Sequence, residues 1–367
     1  MTGPLMDYSC EPDHSDRLVI RGKEPFNAEP TAAALVEFPV TPEDLVYCRN
    51  HGPVRDFDSD SYTVTFKGLG KECKLTMGEI ISLFTKVETI AVLQCAGIRR
   101  KEMGAIKPVH GVAWGDGVVA NCTWGGARLR DVLHHLGLIS DQNADNLHAC
   151  FASYATLCQD DEYYGASVPL ALALDTDPGV ILAYEMNGEH LSPDHGAPLR
   201  VVVPGYLGAR WVKWVDTVLI SSEESPNFYQ QRDYKVLPPE VETKEAAKSL
   251  WSKYPAMTAL PLNSVIGTAY KSTSDTLFVK GYALPGSTGN VTAVEVSVDD
   301  GQTWERTQIT YQGGKYSWSI WEGEVPCNAE SGTVYSRAID SGGCLQPKVG
   351  QWNLRGVAFN GWGKADW

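Results

Sequence analysis

No apolar run in this 367-residue chain approaches the roughly 20 residues that a bilayer-crossing helix needs. Positive charge is also scarce: 31 Lys and Arg face 45 Asp and Glu, a formal net charge of -14. That balance argues against nucleic acid or an anionic membrane as the main partner. It leaves room for a small anion, because a local arginine cluster can focus positive potential inside an acidic protein. None of the nine cysteines forms a Cys-x-x-Cys pair, and their number is odd. Neither a disulfide framework nor a structural zinc site is expected, and a reducing compartment fits. The start, MTGPLMDYSCEPDHSDRL, lacks the basic-then-apolar order of a signal peptide, and the end, GWGKADW, matches neither the endoplasmic-reticulum nor the peroxisomal tail. These features predict a soluble intracellular protein and do not separate cytoplasm, mitochondrion and peroxisome.

Several common catalytic signatures are missing as well. There is no phosphate loop, no G-x-G-x-x-G opening a helix, no G-x-S-x-G elbow and no H-E-x-x-H. His134 and His135 are adjacent, so on a helix they point about 100° apart and cannot share a metal.

With 43% apolar and 21% charged residues, the composition is that of a globular chain, long enough for two or three cores. Thr76-Met-Gly-Glu79 before IISLF predicts a capped helix, and 126–138 predicts a second one stopped by Gly137. TIAVLQ, GVILAYEM before Asn187-Gly188, and the long run from Pro198 to Ser221 read as strands. After Lys235 comes a linker-like stretch, VLPPEVETKEAAKSLW. Beyond it the texture changes to short alternating strands, with a hairpin about Asp299-Asp300-Gly301. The expected fold is α+β: a mixed α/β domain over 1–235, then an immunoglobulin-like β-sandwich over 236–367.

Cys95 stands out, held between the apolar run TIAVLQ and Arg99-Arg100. Three readings suit it: a small core residue, a soft metal ligand, or a nucleophile with His51, His110 or His195 as base. Residue chemistry alone leaves all three open.

The wider pattern narrows them. LQCAGIRR resembles the cysteine loop of the sulfite oxidase family, usually LQCAGNRR. YCRNHGPV, WGGARLRDVL, YGASVPL, the run AYEMNGEHLSPDHGAPLRVVVPGYLGARWVKW, ESPNFYQQRDYK and WNLRGV follow in the family's order, from about residue 47 to 355. The resemblance implies a molybdenum-molybdopterin cofactor with Cys95 as the one protein ligand of the metal. It implies pterin contacts from Tyr47, Cys48, Arg49, Asn50, His51, His195, Arg200, Trp211, Val212 and Lys213. It also implies an anion pocket of Arg49, Arg100 and Arg355 with Trp114 and Tyr234, and a C-terminal domain that forms a homodimer.

The activity implied is oxidation of sulfite, or a similar small oxyanion, by oxygen-atom transfer. Electrons would pass to oxygen or to a separate carrier, since no haem domain is expected in this chain. Two alternatives are a nitrate reductase-type molybdenum module, from which Arg355 departs, and a cofactor-poor, non-catalytic relative. Ile98 replaces the family's asparagine, and Ala155 or Thr156 stands where the family has a pterin-contacting aspartate.

Overall fold

A computed structural model describes residues 6–139, 144 and 146–367. The first five residues of the N-terminal stretch read above lie outside that range. Among the described residues the helices are short, none is long and apolar enough to cross a membrane, and strands dominate.

The N-terminal part is built on two five-stranded sheets. One is antiparallel, with Lys86–Gln94, Val119–Arg128, Ile181–Met186 and Glu189–His190 in spatial order, and Arg200–Val202 also paired to Ile181–Met186. The other runs Lys71–Thr76, Thr63–Gly68, Thr217–Ser221, His148–Ser153, Tyr164–Pro169, with one parallel pairing, between Thr63–Gly68 and Thr217–Ser221. One large apolar core lies among them, with Phe66, Trp124, Phe151 and Trp211 almost wholly excluded from water.

The C-terminal part packs two four-stranded antiparallel sheets face to face. Asn263–Thr273, Thr276–Leu284, Ser319–Pro326 and Gln308–Gln312 make one; Glu305–Arg306, Val291–Ser297, Thr333–Asp340 and Gly363–Asp366 make the other. Leu277, Val279, Val294, Val296, Trp321 and Val334 fill the space between. The chain is α+β, as its patterning predicts.

Two local expectations meet the structure well. Thr76 caps Met77–Leu83 reciprocally with Glu79, a complete capping box. Asn187 and Gly188 both adopt positive φ (57° and 85°), as a tight hairpin turn requires.

One other needs correction, and one gains detail. The helix predicted from Gly126 begins only at Leu129, because 126–128 remain in strand Val119–Arg128, paired with Ile181–Met186. Long-range pairing there overrides the helical period of the leucines that follow. The linker-like stretch is not a free tether. Leu237, Val241 and Ala247 are buried against Met103, Trp352, Leu354 and Phe359, bracing helix Arg100–Ile106 against the C-terminal part.

Candidate active site

Strand Lys86–Gln94 ends at the sheet edge and delivers Cys95 into a tight loop. The Cys95 amide donates to the Val118 carbonyl at 3.0 Å, the Ile98 amide to the Cys95 carbonyl at 3.1 Å, and the Gly97 amide to Cys95 Sγ at 3.5 Å. Arg99 then takes a left-handed conformation (φ 57°), which turns the chain into helix Arg100–Ile106. The two arginines part company. Arg99 reaches into the C-terminal part, donating to Asn263 Oδ1 and to the carbonyls of Gly361 and Trp362 at 2.6–2.8 Å, and it pairs with Glu102. It is a structural staple.

Arg100 turns the other way. Its Nε donates to the carbonyls of Arg355 (3.1 Å) and Gly356 (3.0 Å), and its Nη1 to Val112 (2.9 Å). The guanidinium lies close against Gly97 and Gly111: a Cβ at either would come within 2.7–2.8 Å of it and force it to shift.

A cleft opens beside Cys95. Of the residues singled out in the sequence, Tyr47, Arg49, Asn50, His51, Cys95, His195, Arg200, Trp211, Lys213 and Tyr234 line it. Cys48 and Val212 do not. Cys48 packs with Leu18, Phe26 and Ala28, and Val212 is a core residue whose carbonyl accepts from Val201.

Arg100, Trp114 and Arg355 lie outside the lining, and Arg100 and Arg355 connect to it. Arg355 pairs with the Asp233 carboxylate, and Asp233 precedes Tyr234. Tyr234 Oη lies 2.9 Å from His51 Nε2, and Arg49 Nη2 lies 3.2 Å from His51 Nδ1. Contacts, joined by the chain itself between Asp233 and Tyr234, therefore run from Arg100 through Arg355, Asp233, Tyr234 and His51 to Arg49. Trp114 is wholly buried, and among the described residues its indole N–H has no partner.

The cleft's cations are short of anions. Among the described residues Arg49, Arg200 and Lys213 make no ion pair. Arg200 donates only to the carbonyls of His195 (2.9 Å) and Trp211 (3.3 Å), beneath the face of Trp124. Lys213 donates to Asn50 Oδ1 and the Asp194 carbonyl. Burial pushes Arg200 down to about 10 and Lys213 down to about 8, the latter against the pull of Asp194.

The chain matches known proteins over nearly its whole length. Residues 51–229 match the oxidoreductase molybdopterin binding domain, and 255–366 the Mo-co oxidoreductase dimerisation domain. The sulfite oxidase of Arabidopsis thaliana is 37% identical, over 97% of this chain and 95% of that protein. That of Gallus gallus is 39% identical, over 97% and 79%.

The chain belongs to the sulfite oxidase family.

It is a molybdenum oxidoreductase of sulfite oxidase type, and its cofactor is molybdenum-molybdopterin. The nitrate reductase [NAD(P)H] of Hordeum vulgare is 38% identical, over 95% of this chain but only 41% of its own length. The sulfane dehydrogenase SoxCD from Paracoccus pantotrophus shares the fold, with a TM-score of 0.77 at 22% identity over 97% of this chain and 87% of that one.

The cleft fits the family's cofactor. Among the described residues Arg200 Nε is buried without a partner, and buried cations that form no ion pair suit a phosphate and a ring edged with hydrogen-bonding groups. At the position of the missing aspartate, Thr156 is buried and lines the cleft, its hydroxyl donating to the Leu157 carbonyl at 3.4 Å. Asp161 does not substitute, since its carboxylate is committed to Asn227 Nδ2 and the Phe228 amide at 2.8–2.9 Å. Asp194, Asp233, Tyr164 and Trp214 complete the surroundings. Asp194 sits in the quoted run beside His195, and Asp233 beside Tyr234, so adjacency was the only signal for either.

Ile98 faces the main core and is 1% exposed. Ile98→Asn loses apolar burial worth about 1.5–3 kcal/mol and adds an unpartnered buried amide that costs about 1–3 kcal/mol. Thermal unfolding of the variant is expected several degrees lower, with turnover no higher. An equally stable, more active variant would contradict this.

Lys213 gives a pH prediction. Its folded value of about 8 lies below lysine's ordinary range, so in the cofactor-free protein the charge is lost as pH rises through that point. An anion bound beside it favours the charged form. Affinity for the cofactor is therefore expected to hold steady below about 8 and to fall above it. Molybdenum content after reconstitution on both sides of that pH checks this, with Lys213→Met as the flat control.

Proposed function

We propose that the chain oxidises sulfite to sulfate at a molybdenum centre whose protein ligand is Cys95. The observation that carries the reading is the cation cluster around that cysteine. Arg100 donates to the backbone of Arg355, and contacts through Asp233, Tyr234 and His51 continue to Arg49.

When bound, molybdenum-molybdopterin supplies oxygen-atom transfer and takes up two electrons. Arg49, Asn50, His195, Arg200 and Lys213 hold it by charge and hydrogen bonds along the cleft. Arg49, Arg100 and Arg355 neutralise the incoming dianion, and buried Arg100 acts where such contacts are strongest. Arginine suits this role because its planar fork meets two oxygens at once and stays charged when buried. Burial and the nearby Arg100 push Arg355 down to about 10, so it is still cationic at neutral pH. Tyr234 offers a hydroxyl at the cleft wall, and Trp114 offers an indole N–H without a protein partner.

Arg355 favours sulfite over nitrate, because it is the third arginine of the anion pocket. We propose further that the sandwich, matched by a dimerisation domain, joins two copies, and that electrons leave to oxygen or to a separate carrier. Steady-state assays with sulfite against oxygen, ferricyanide and cytochrome c, alongside nitrate with a reduced dye, test the reading. Sulfite turnover without nitrate turnover supports it; the reverse overturns it.

A further inference from the structure

His51 sits between two groups whose hydrogen-bonding abilities are not symmetrical. A guanidinium can only donate, and Arg49 Nη2 lies 3.2 Å from His51 Nδ1. That nitrogen must therefore accept, which leaves Nε2 to bear the proton. Nε2 lies 2.9 Å from Tyr234 Oη, so it donates there. Burial, reinforced by Arg49 and Arg355, holds His51 well below the usual histidine range and so neutral at physiological pH. The ring is fixed in place by Tyr229 at 4.0 Å and Tyr164 at 5.3 Å between centroids.

Tyr234 Oη has no other hydrogen bond among the described residues. Since it accepts from His51, its own O–H is released from the imidazole and is free to turn into the cleft that the tyrosine lines. Were the imidazole proton on Nδ1 instead, it would meet a donor at Arg49, and Tyr234 would have to donate into Nε2, away from the cleft.

We infer that His51, protonated at Nε2, is a positioning residue that sets the polarity of Tyr234 so that the phenol donates its hydrogen bond to the oxyanion in the pocket. The role rests on the sulfite reading for the identity of that oxyanion, but the polarity itself does not. A hydroxyl that accepts one hydrogen bond is also a stronger donor in the next, so His51 both aims and strengthens Tyr234. The imidazole transfers no proton in this role.

Two neutral replacements separate polarity from bulk. His51→Gln can accept from Arg49 through its carbonyl and donate to Tyr234 through its amide. His51→Met fills similar space and does neither. At equal molybdenum content, His51→Met is expected to show a KM for sulfite about tenfold above that of His51→Gln. In a Tyr234→Phe background that difference should shrink to less than about twofold, because two residues acting through one contact are not additive. A difference that survives Tyr234→Phe overturns the inference.

An independent readout uses the cofactor-free protein with 15N-labelled histidine, the His51 signals being assigned by their loss in His51→Gln. The expected spectrum has a protonated Nε2, a bare Nδ1 and no titration across the ordinary histidine range. The opposite tautomer, or an imidazolium, overturns it. If the wild type fails to oxidise sulfite, the proposed function falls, while the spectrum still decides the polarity.

Discussion

Replacing Cys95 by serine is expected to abolish sulfite oxidation and leave the fold in place. Serine is nearly isosteric, its hydroxyl can keep the contact that the Gly97 amide makes with Sγ, and the loop is also held by main-chain bonds: the Cys95 amide to Val118, and the Ala358 amide to the Ala96 carbonyl at 2.9 Å. What is lost is the soft ligand, and a hard hydroxyl is a poor substitute for thiolate at a redox metal. Changing a group that merely orients a ligand typically costs 10–100-fold, so removing the ligand should exceed about a hundredfold in turnover. Circular dichroism and thermal unfolding should match the wild type. Retained turnover would remove Cys95 from the mechanism.

The second large effect is expected from Arg355→Met, in two measurements at once. The variant loses a charge-assisted contact to the anion, about 1.5–3 kcal/mol, which raises KM for sulfite on the order of tenfold or more. It also strands Asp233, whose side chain is 7% exposed while that of Arg355 is 22% exposed. Removing one partner of a buried pair costs about 3–5 kcal/mol, and the partial exposure of Arg355 places this case near the lower end. Thermal stability should therefore fall together with affinity. Arg355→Met combined with Asp233→Asn should recover much of the stability without recovering the KM. If the single variant kept normal sulfite kinetics, the preference for sulfite over nitrate would lose its support.

Much of this was legible in local sequence, and the reason is physical. The capping box at Thr76 and the Asn187-Gly188 turn are decided by residues within four positions of each other. The divergence of Arg99 and Arg100 was not legible. Two adjacent arginines look alike in sequence, yet a left-handed residue at 99 sends one into the sandwich and the other toward Arg355. The same holds for the strand that runs on through 126–128, which only its pairing with Ile181–Met186 explains. It holds again for the contact of His51 with Tyr234, 183 positions away. The family resemblance nominated the members of the site; their pairing belongs to the topology.

The most direct test of the central claim joins metal analysis to turnover on one purified sample. The sample is expected to hold about one molybdenum per chain, to reduce an acceptor with sulfite in proportion to that metal, and to lose both in Cys95→Ser. Full sulfite turnover in protein lacking molybdenum would contradict it, as would a molybdenum-loaded wild type that leaves sulfite untouched.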